Sequence, residues 1–222
     1  MSANYAAEAD LRRARLLAAT LSHVPFDGWT WRAVARGAAD AGYAEAEAHL
    51  AFPDGIREVV AAYSAELNRR MEAALAARAV EMRTLKVRER IGLAVRVRLE
   101  SAAAEPEAVR RMVAFLALPE NLGLGPKLLW ATVDAIWRAV GDRSTDFNFY
   151  TKRGLLAGVV GATTLYWLGD TSEGHAGTWS FLDRKIDTVI RVAGFPRRLG
   201  TWIDHKTASL FRRSKRPPGP TG

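Results

Sequence analysis

The side chains best suited to catalysis or metal binding are scattered along this sequence. Its four histidines, His23, His49, His175 and His205, are far apart, and none belongs to a metal-ligand pattern such as His-Glu-x-x-His. Cysteine is absent, which excludes disulfide scaffolds, thiolate metal sites and cysteine nucleophiles. Residues 121–127 contain glycines and a lysine but lack the spacing of a phosphate-binding loop. We therefore predict a protein that is not an enzyme and that uses no cofactor and no metal.

Charge is distributed unevenly along the 222 residues. The formal net charge is +8, and residues 184–222 hold 10 of the 32 basic side chains but only 2 of the 24 acidic ones. The rest of the chain is electrically balanced. A basic end on a neutral body indicates an anionic partner for that end, either an acidic lipid surface or a phosphate backbone.

No segment is long enough to span a bilayer by hydropathy alone. The longest uncharged stretch, residues 154–169, contains four glycines and is shorter than the roughly 20 apolar residues of a spanning helix. The amino terminus carries Glu8 and Asp10 and has no apolar run, so we expect neither a secretory signal nor a transit peptide. These observations favour a cytoplasmic location.

Helical periodicity dominates the chain and predicts an all-α fold, because apolar residues recur three and four apart and strand alternation is absent. Proline and glycine mark the boundaries between segments. The predicted helices are Leu11–Val24, Trp31–Ala41, Ala44–Ala51, a long helix capped by Asp54 and ending near Met82, Lys86–Ser101, Glu105–Ala117, Pro126–Val140, Thr145–Leu168 and Ser172–Ala193.

The last segment is predicted to form an amphipathic helix. Its large apolar residues form one stripe, and these are Phe195, Leu199, Trp202, Ile203, Leu210 and Phe211. Its basic residues are Arg197, Arg198, Lys206, Arg212 and Arg213. This composition is typical of a helix that lies in a membrane interface. A helix docked on the body or on a second subunit is the alternative, but the terminal position ahead of a basic, proline-rich tail favours the membrane.

Small residues line part of one surface of the segment 154–169. Gly154 and Gly158 are four residues apart, as are Ala157 and Gly161. Glycine inside a helix costs about 0.5–1 kcal/mol relative to alanine, so the missing side chains should have a use. Either a neighbouring helix packs closely there, or the space holds a ligand. On the residues alone, close packing is the favoured alternative.

The first 60 residues are compatible with a helix-turn-helix. Two short helices precede a long one, and Ala51 to Gly55 stand where TetR-type regulators have a Phe-Pro dipeptide after the recognition helix, so the arrangement resembles that family. The segment Ala44–Ala51 carries Glu45 and Glu47 but no lysine or arginine. Because DNA affinity comes mostly from neutralising phosphates, we expect no nucleic-acid partner.

Longer mixed motifs give a more specific resemblance. The run His23 to Trp31, the run Thr145 to Arg153 and the group Thr178 to Leu182 together look like the accessory lipid-binding family of ubiquinone biosynthesis, itself similar to TetR-type regulators in fold. The matched order covers nearly the whole chain from Leu11 to Ala193. With this resemblance, a ligand pocket becomes the favoured explanation of the small residues in 154–169.

The resemblance implies a homodimer that binds isoprenoid lipids and presents them to the demethoxyubiquinone hydroxylase. It also implies peripheral attachment to the inner membrane, on the matrix side if the protein is organellar. The family's partner-facing patch corresponds to Asp146, Phe149, Tyr150 and Arg153, with Phe149 replacing a tryptophan. Burial in the core is the alternative for Phe149 and Tyr150. The residues assigned to the lipid pocket are Trp130, Trp137, Leu155, Gly158, Val159, Ala162, Tyr166 and Trp167.

Four regions are therefore expected. Residues 1–42 form the first helices of a degenerate helix-turn-helix, and 43–193 form a lipid-binding and dimerisation body. Residues 194–213 form the membrane helix, and 214–222 form a disordered tail. A TetR-type regulator and a ligand-free helical adaptor are the competing hypotheses.

Overall fold

A computed structural model describes residues 2–141 and 148–192 of the protein. Throughout these two ranges the regular structure is helical, which confirms the predicted fold class. Two 3-10 turns, Pro119–Asn121 and Glu173–His175, precede α9 and α11. The α-helices are α1 Ser2–Leu21, α2 Val24–Asp27, α3 Trp31–Asp40, α4 Glu45–Ala51, α5 Ile56–Ala77, α6 Ala79–Thr84, α7 Val87–Glu100, α8 Pro106–Leu116, α9 Leu124–Val140, α10 Asn148–Gly169 and α11 Ala176–Val192.

The first helix ends earlier than predicted. The proline at position 25 suggested a stop after Val24, but α1 ends at Leu21 and Pro25 lies in the first turn of the separate helix α2. Proline is tolerated there because the first backbone N–H groups of a helix have no partner within the helix. Gly28, with φ of 70°, then turns the chain toward α3.

Helix α3 packs against α1 at close range. Thr30 caps α3 by accepting a hydrogen bond from the Ala33 N–H at 3.4 Å. A Cβ added at Gly37 would lie only 2.5 Å from the backbone nitrogen of Thr20 and 2.8 Å from the carbonyl carbon of Ala19. The absence of a side chain at Gly37 therefore allows the two helix backbones to approach.

The long helix α5 differs from its prediction at both ends. The residue that caps its start is Gly55, whose φ of 72° favours glycine, rather than Asp54. The helix ends at Ala77 instead of continuing to Met82, because Arg78 leaves the helical conformation and α6 begins at Ala79. Good helix formers flank this break, so the sequence gives no signal for it.

One hydrophobic core joins the amino-terminal helices to the body. Trp29 donates a hydrogen bond from Nε1 to the carbonyl of Ala108 in α8 at 3.0 Å, and its ring lies 5.1 Å from that of Tyr63 in α5. Helix α5 packs on α7 and α9, and α10 packs between α9 and α11. No helix in the described ranges has the length and apolar character needed to cross a membrane.

Candidate ligand cavity and partner surface

A cavity of about 330 Å³ lies between α5, α7, α8, α9 and α10. This volume is at the lower end of the range usual for ligand sites, about 300–1,000 Å³. Most of the lining is apolar. The apolar lining residues with side chains are Val95, Leu99, Ala102, Val109, Met112, Val113, Leu116, Ala117, Leu128, Leu129, Val160 and Leu165.

The cavity has an exposed end and a buried end. Leu165 of α10, 61% exposed, and Ala117 after α8 lie at the surface. Ser64, Arg98 and Thr132 lie at the other extreme, with less than a tenth of each residue exposed.

The polar groups at the buried end are organised around Asn68. Its Oδ1 accepts a hydrogen bond from the Arg98 Nε–H at 2.7 Å and another from the Thr132 hydroxyl at 3.1 Å. Burial lowers the pKa of the Arg98 guanidinium to about 10, which leaves it charged at neutral pH. The buried end of the cavity is therefore cationic, although the cavity as a whole is apolar.

None of the eight residues predicted to line a lipid pocket is in the wall of this cavity. On α10 the wall is formed by Val160, Gly161, Thr164 and Leu165. Two of the predicted residues, Val159 and Trp167, are buried in the core, and two others, Leu155 and Ala162, are half-buried. Tyr166 is 41% exposed, and its ring stacks on that of Phe181. Trp137 is buried, with the Lys152 Nζ 5.7 Å from its ring centre, and Trp130 is 37% exposed.

The small residues of α10 lie in different surroundings along the helix. A Cβ added at Gly161 would lie 3.9 Å from Leu129 Cδ2, beside the cavity. At Gly154 and Gly158 the same addition would meet no atom within 4 Å, and both residues are exposed. Within the described chain, Gly154 and Gly158 therefore neither pack closely against another helix nor line a ligand pocket.

Tyr150 and Arg153, two of the predicted partner residues, differ in their exposure to solvent. Tyr150 is 68% exposed and stacks on Trp130, with ring centres 6.2 Å apart. Arg153 lies inside the protein, 3% exposed, and donates two hydrogen bonds to Asp134 Oδ1 at 2.8 and 3.0 Å. Buried in that ion pair, Arg153 positions α10 on α9 instead of contributing to the surface.

Several predicted residues lie outside what the structure describes. Asp146 is in the undescribed range 142–147, and the side chain of Phe149 is not described. All of the predicted membrane-helix residues, from Phe195 to Arg213, lie beyond residue 192. The terminal helix and its contacts therefore stay predictions.

Known proteins similar to this chain agree on one family. A family model described as COQ9 matches residues 122–193. The protein named "Ubiquinone biosynthesis protein COQ9, mitochondrial" of Rattus norvegicus is 34% identical over 183 residues, which are 80% of this chain and 58% of the rat protein. COQ9-B of Xenopus laevis is 30% identical over 205 residues, covering 90% of this chain and 69% of that protein. This chain belongs to the COQ9 family.

Length separates this COQ9-family chain from the animal relatives. It spans 58% of the rat protein, 57% of the Drosophila melanogaster protein and 60% of the Homo sapiens protein, with 32% identity to the last. All three relatives are named as mitochondrial ubiquinone biosynthesis proteins. The resemblance stated from the sequence motifs is thereby confirmed.

The fold is also similar to that of a solved regulator. The crystal structure of a TetR transcriptional regulator from Nitrosomonas europaea superimposes with a TM-score of 0.64 at 18% identity, covering 80% of this chain and 97% of the regulator. At this identity the similarity shows the fold alone. It confirms the predicted TetR-like helical architecture.

Helix α4 covers the segment that the sequence pattern places at the position of a recognition helix. Its Glu45 accepts a hydrogen bond from Trp31 Nε1 at 3.1 Å, and the Trp31 ring stacks on His49 with ring centres 3.9 Å apart. Glu47 lies 3.9 Å from Arg12, a weak ion pair at this distance and exposure. The surface of α4 therefore presents carboxylates, and a histidine whose ring is stacked on Trp31, where a DNA-binding helix needs cations.

Sequence reasoning missed the most informative residue of the cavity, Arg98. A signal for it was present, because Ile91, Val95 and Arg98 fall on one face of α7 at spacings of four and three. An arginine in the middle of an apolar stripe predicts a buried charge that needs a partner. The position of the cavity itself had no comparable signal, since it depends on how five helices diverge.

Proposed function

We propose that this chain is a non-enzymatic lipid-binding protein of ubiquinone biosynthesis that holds an isoprenoid or quinone intermediate for the demethoxyubiquinone hydroxylase. The apolar cavity between α5, α7, α8, α9 and α10 is the observation that supports this proposal most directly. The names of the COQ9 relatives support the pathway. A long polyprenyl tail exceeds 330 Å³, so the cavity holds the part of the ligand nearest the reacting group.

Positioning is the contribution of such a protein. Moving an isoprenoid tail from a bilayer into an apolar cavity gains little from the hydrophobic effect, because both environments are apolar. Holding the ligand in one orientation beside an enzyme raises the effective concentration of the reacting group. The advantage therefore lies in presentation, and it requires a membrane-binding element and a partner-binding surface.

The membrane-binding element in this proposal is the predicted helix 195–213. Its apolar stripe, which includes Trp202 and Phe211, would lie among lipid head groups, and each basic residue near an anionic leaflet contributes on the order of 1 kcal/mol. The basic excess of residues 184–222 supports this assignment. The protein would then sit peripherally on the inner membrane.

The partner-binding surface in this proposal centres on Tyr150 and Trp130. An exposed stacked aromatic pair is typical of the anchors that dominate protein interfaces. We expect Tyr150→Ala to weaken association with the hydroxylase by about tenfold or more in a pull-down titration. Equal capture of the variant and the parent protein would show that Tyr150 does not contribute to the partner-binding surface.

The proposal includes a homodimer. Gly154 and Gly158 lie on a face of α10 where an added Cβ would meet no atom within 4 Å. A second copy packed on that face would use the missing side chains by close helix contact. We expect light scattering to give the mass of a dimer, and Gly158→Leu to lower the dimer fraction.

Two glycine variants test the lipid-binding site. Gly161→Leu adds a side chain at a residue that lines the cavity, whereas a Cβ added at Gly158, three residues earlier, meets no atom within 4 Å. Binding of a short-chain ubiquinone is followed by quenching of tryptophan fluorescence. We expect Gly161→Leu to weaken binding by about tenfold or more and Gly158→Leu to leave it unchanged.

The opposite pattern would place the lipid elsewhere. If Gly158→Leu weakens binding and Gly161→Leu does not, the ligand lies along the residues predicted from the sequence, which include Gly158 and Ala162. If both variants bind like the parent protein, the cavity is not the site. Helicity and the thermal midpoint are measured for both variants, since leucine also raises helix propensity over glycine.

A further inference from the structure

The α6 end of the body, residues 76–90, carries an excess of positive charge. It contains five basic and two acidic side chains, although residues 1–183 as a whole are electrically balanced. Arg78, Arg83 and Lys86 are exposed, and their side chains form no ion pair or hydrogen bond with the part of the chain that the structure describes. Their charge is therefore available to an anion outside the protein.

A cleft of about 480 Å³ adjoins α6 and is lined by three arginines, Arg83, Arg90 and Arg138. Its acidic lining residue, Glu72, is already paired with Arg138 at 3.2 Å. Arg90 donates hydrogen bonds to two backbone carbonyls, and neither Arg83 nor Arg90 has a carboxylate partner among the described residues. The six other lining residues are apolar. Uncompensated cations beside apolar side chains suit an anionic group that is joined to hydrocarbon.

An exposed apolar side chain lies on the same short helix. Met82 is buried, whereas Val80, two residues earlier, is 72% exposed. Among the large apolar residues of α5, α6 and α7, Val80 has the one exposed side chain. An apolar residue surrounded by cations is typical of a surface that contacts the head-group region of a membrane.

The terminal segment leaves the body at the α6 end. Helix α11 runs antiparallel to α7, because the Trp179 ring centre lies 4.7 Å from the Arg96 guanidinium carbon and Asp187 pairs with Arg88 at 3.0 Å. Helix α11 continues for five residues after Asp187, about 8 Å along its axis, and so extends past the start of α7, where α6 ends. Residues 193–222, with seven basic side chains and one acidic one, follow from there.

We propose that the α6 end is a second membrane contact, which binds anionic phospholipid head groups beside the terminal helix. A bilayer surface presents many phosphates in one plane, which matches several separate cations around one apolar side chain. The direction of α11 brings the same bilayer to this end of the body. The inference rests on the proposed function, in which residues 195–213 bind the membrane.

The α6 contact is too weak to hold the body on a membrane alone. Each basic residue near an anionic leaflet favours binding by about fivefold, and stable attachment normally needs two signals. A chain that ends at residue 194 is therefore still expected in the unbound fraction. When the terminal helix is bound, the second contact restricts rotation of the body and so fixes its orientation on the bilayer.

Two double variants of the full chain, equal in net charge, test whether the attraction is local. Arg83→Gln/Lys86→Gln removes two charges from the α6 end. Arg15→Gln/Arg57→Gln removes two exposed, unpaired charges from the described amino-terminal part, and Arg57 is separated from Arg78 by the length of α5, about 30 Å. On vesicles of phosphatidylcholine and phosphatidylglycerol, we expect the first pair to weaken binding by about tenfold or more and the second by less than about twofold.

A fluorescent label reports the contact itself. The chain has no cysteine, so Val80→Cys provides a single attachment point for an environment-sensitive nitrobenzoxadiazole dye. Leu50→Cys in α4 is the matched control, because Leu50 is 77% exposed and lies among the amino-terminal helices. On the same vesicles we expect the emission of the dye at position 80 to shift to the blue, and that of the dye at position 50 to stay unchanged.

Two results would overturn the inference and leave attachment through the terminal helix in place. Equal weakening by the two double variants would show that overall charge attracts the protein without a local contact. An unshifted dye at position 80, on vesicles that the full chain binds, would show that α6 does not touch the bilayer. Failure of the unmodified full chain to bind the vesicles would instead overturn both membrane contacts.

Discussion

Asp170 holds the turn between α10 and α11 through four hydrogen bonds to one carboxylate. Its Oδ1 accepts from the Ser172 hydroxyl at 2.7 Å and the Ser172 N–H at 2.9 Å, and its Oδ2 accepts from the Thr178 hydroxyl at 2.6 Å and the Thr178 N–H at 2.7 Å. The hydrogen bonds from Ser172 and Thr178 hold the pKa of Asp170 far below its usual range. The charged form is therefore favoured in the folded protein.

Replacing this carboxylate should produce a pH-dependent loss of stability. Because the pKa is lowered on folding, the stabilisation by Asp170 is fully present above its unfolded pKa, about 3.9, and is lost as the pH falls below that value toward the folded pKa. We expect Asp170→Asn to have a lower thermal midpoint at pH 7. The difference from the parent protein should shrink as the pH falls below about 4.

The control for that measurement is Asp183→Asn in α11. Asp183 is exposed and makes no hydrogen bond or ion pair with the part of the chain that the structure describes. Its replacement should leave the thermal midpoint nearly unchanged at both pH values. A difference for Asp170→Asn that is the same at pH 7 and pH 3 would show that shape rather than charge holds the turn.

The sequence predicted the exposure of some individual side chains correctly and of others incorrectly. Tyr150 was assigned to a surface and is exposed, whereas Arg153, assigned to the same surface, is buried against Asp134. Neighbours in sequence on a helix face different directions, so a motif cannot say which of its members points outward. Arg98 is buried although charged residues usually lie at the surface, so its type alone does not predict its position.

The packing of α1 on α3 depends on one glycine. A Cβ at Gly37 would come within 2.5 Å of the Thr20 nitrogen, a backbone atom that cannot move independently of α1. We expect Gly37→Ala to lower the free energy of unfolding by about 1–3 kcal/mol, the usual cost of overpacking. Chemical denaturation measures this change.

Gly123→Ala is the matched control for that substitution. Its φ is −78°, and an added Cβ would meet no atom within 4 Å, so alanine fits there without strain. The free energy of unfolding should be unchanged or slightly higher. If Gly37→Ala were as stable as Gly123→Ala, the two helices would have to separate at little cost, and the close contact would not stabilise the fold.

Helix α4 has the position of a recognition helix but not its chemistry. Glu45 is exposed, Glu47 is half-buried and accepts a hydrogen bond from the Ala44 N–H at 2.9 Å, and α4 contains no lysine or arginine to neutralise phosphates. We expect no mobility shift with the DNA upstream of the protein's own gene at 50 mM salt. A shift that weakens steeply as salt rises would support the regulator hypothesis instead.

Helices were predictable to within a few residues where proline, glycine or a cap marks the end. Trp31 and the Pro106 turn are examples, since α3 and α8 begin at or beside the predicted residues. The break at Arg78 had no such mark, and nothing in the sequence indicated which residues of α10 line the cavity. Tertiary packing decides both features, and local sequence does not record it.

Attachment to membranes depends on the terminal residues in this account. We expect the full chain to float with liposomes that contain an anionic lipid, and a chain ending at residue 194 to remain in the unbound fraction. Raising the salt concentration should weaken flotation of the full chain, because part of the attraction is electrostatic. Equal flotation of the two chains would assign membrane binding to the body.

The division of the molecule into a lipid-holding body and a membrane-binding end rests on occupancy of the cavity. Mass spectrometry of lipids extracted from the protein, purified from its own membranes, measures that occupancy directly. The account predicts a prenylated quinone or quinone precursor in the parent protein, in amounts approaching one per chain and reduced in Gly161→Leu. A protein without any isoprenoid, or with the same isoprenoid content in Gly161→Leu, would contradict it.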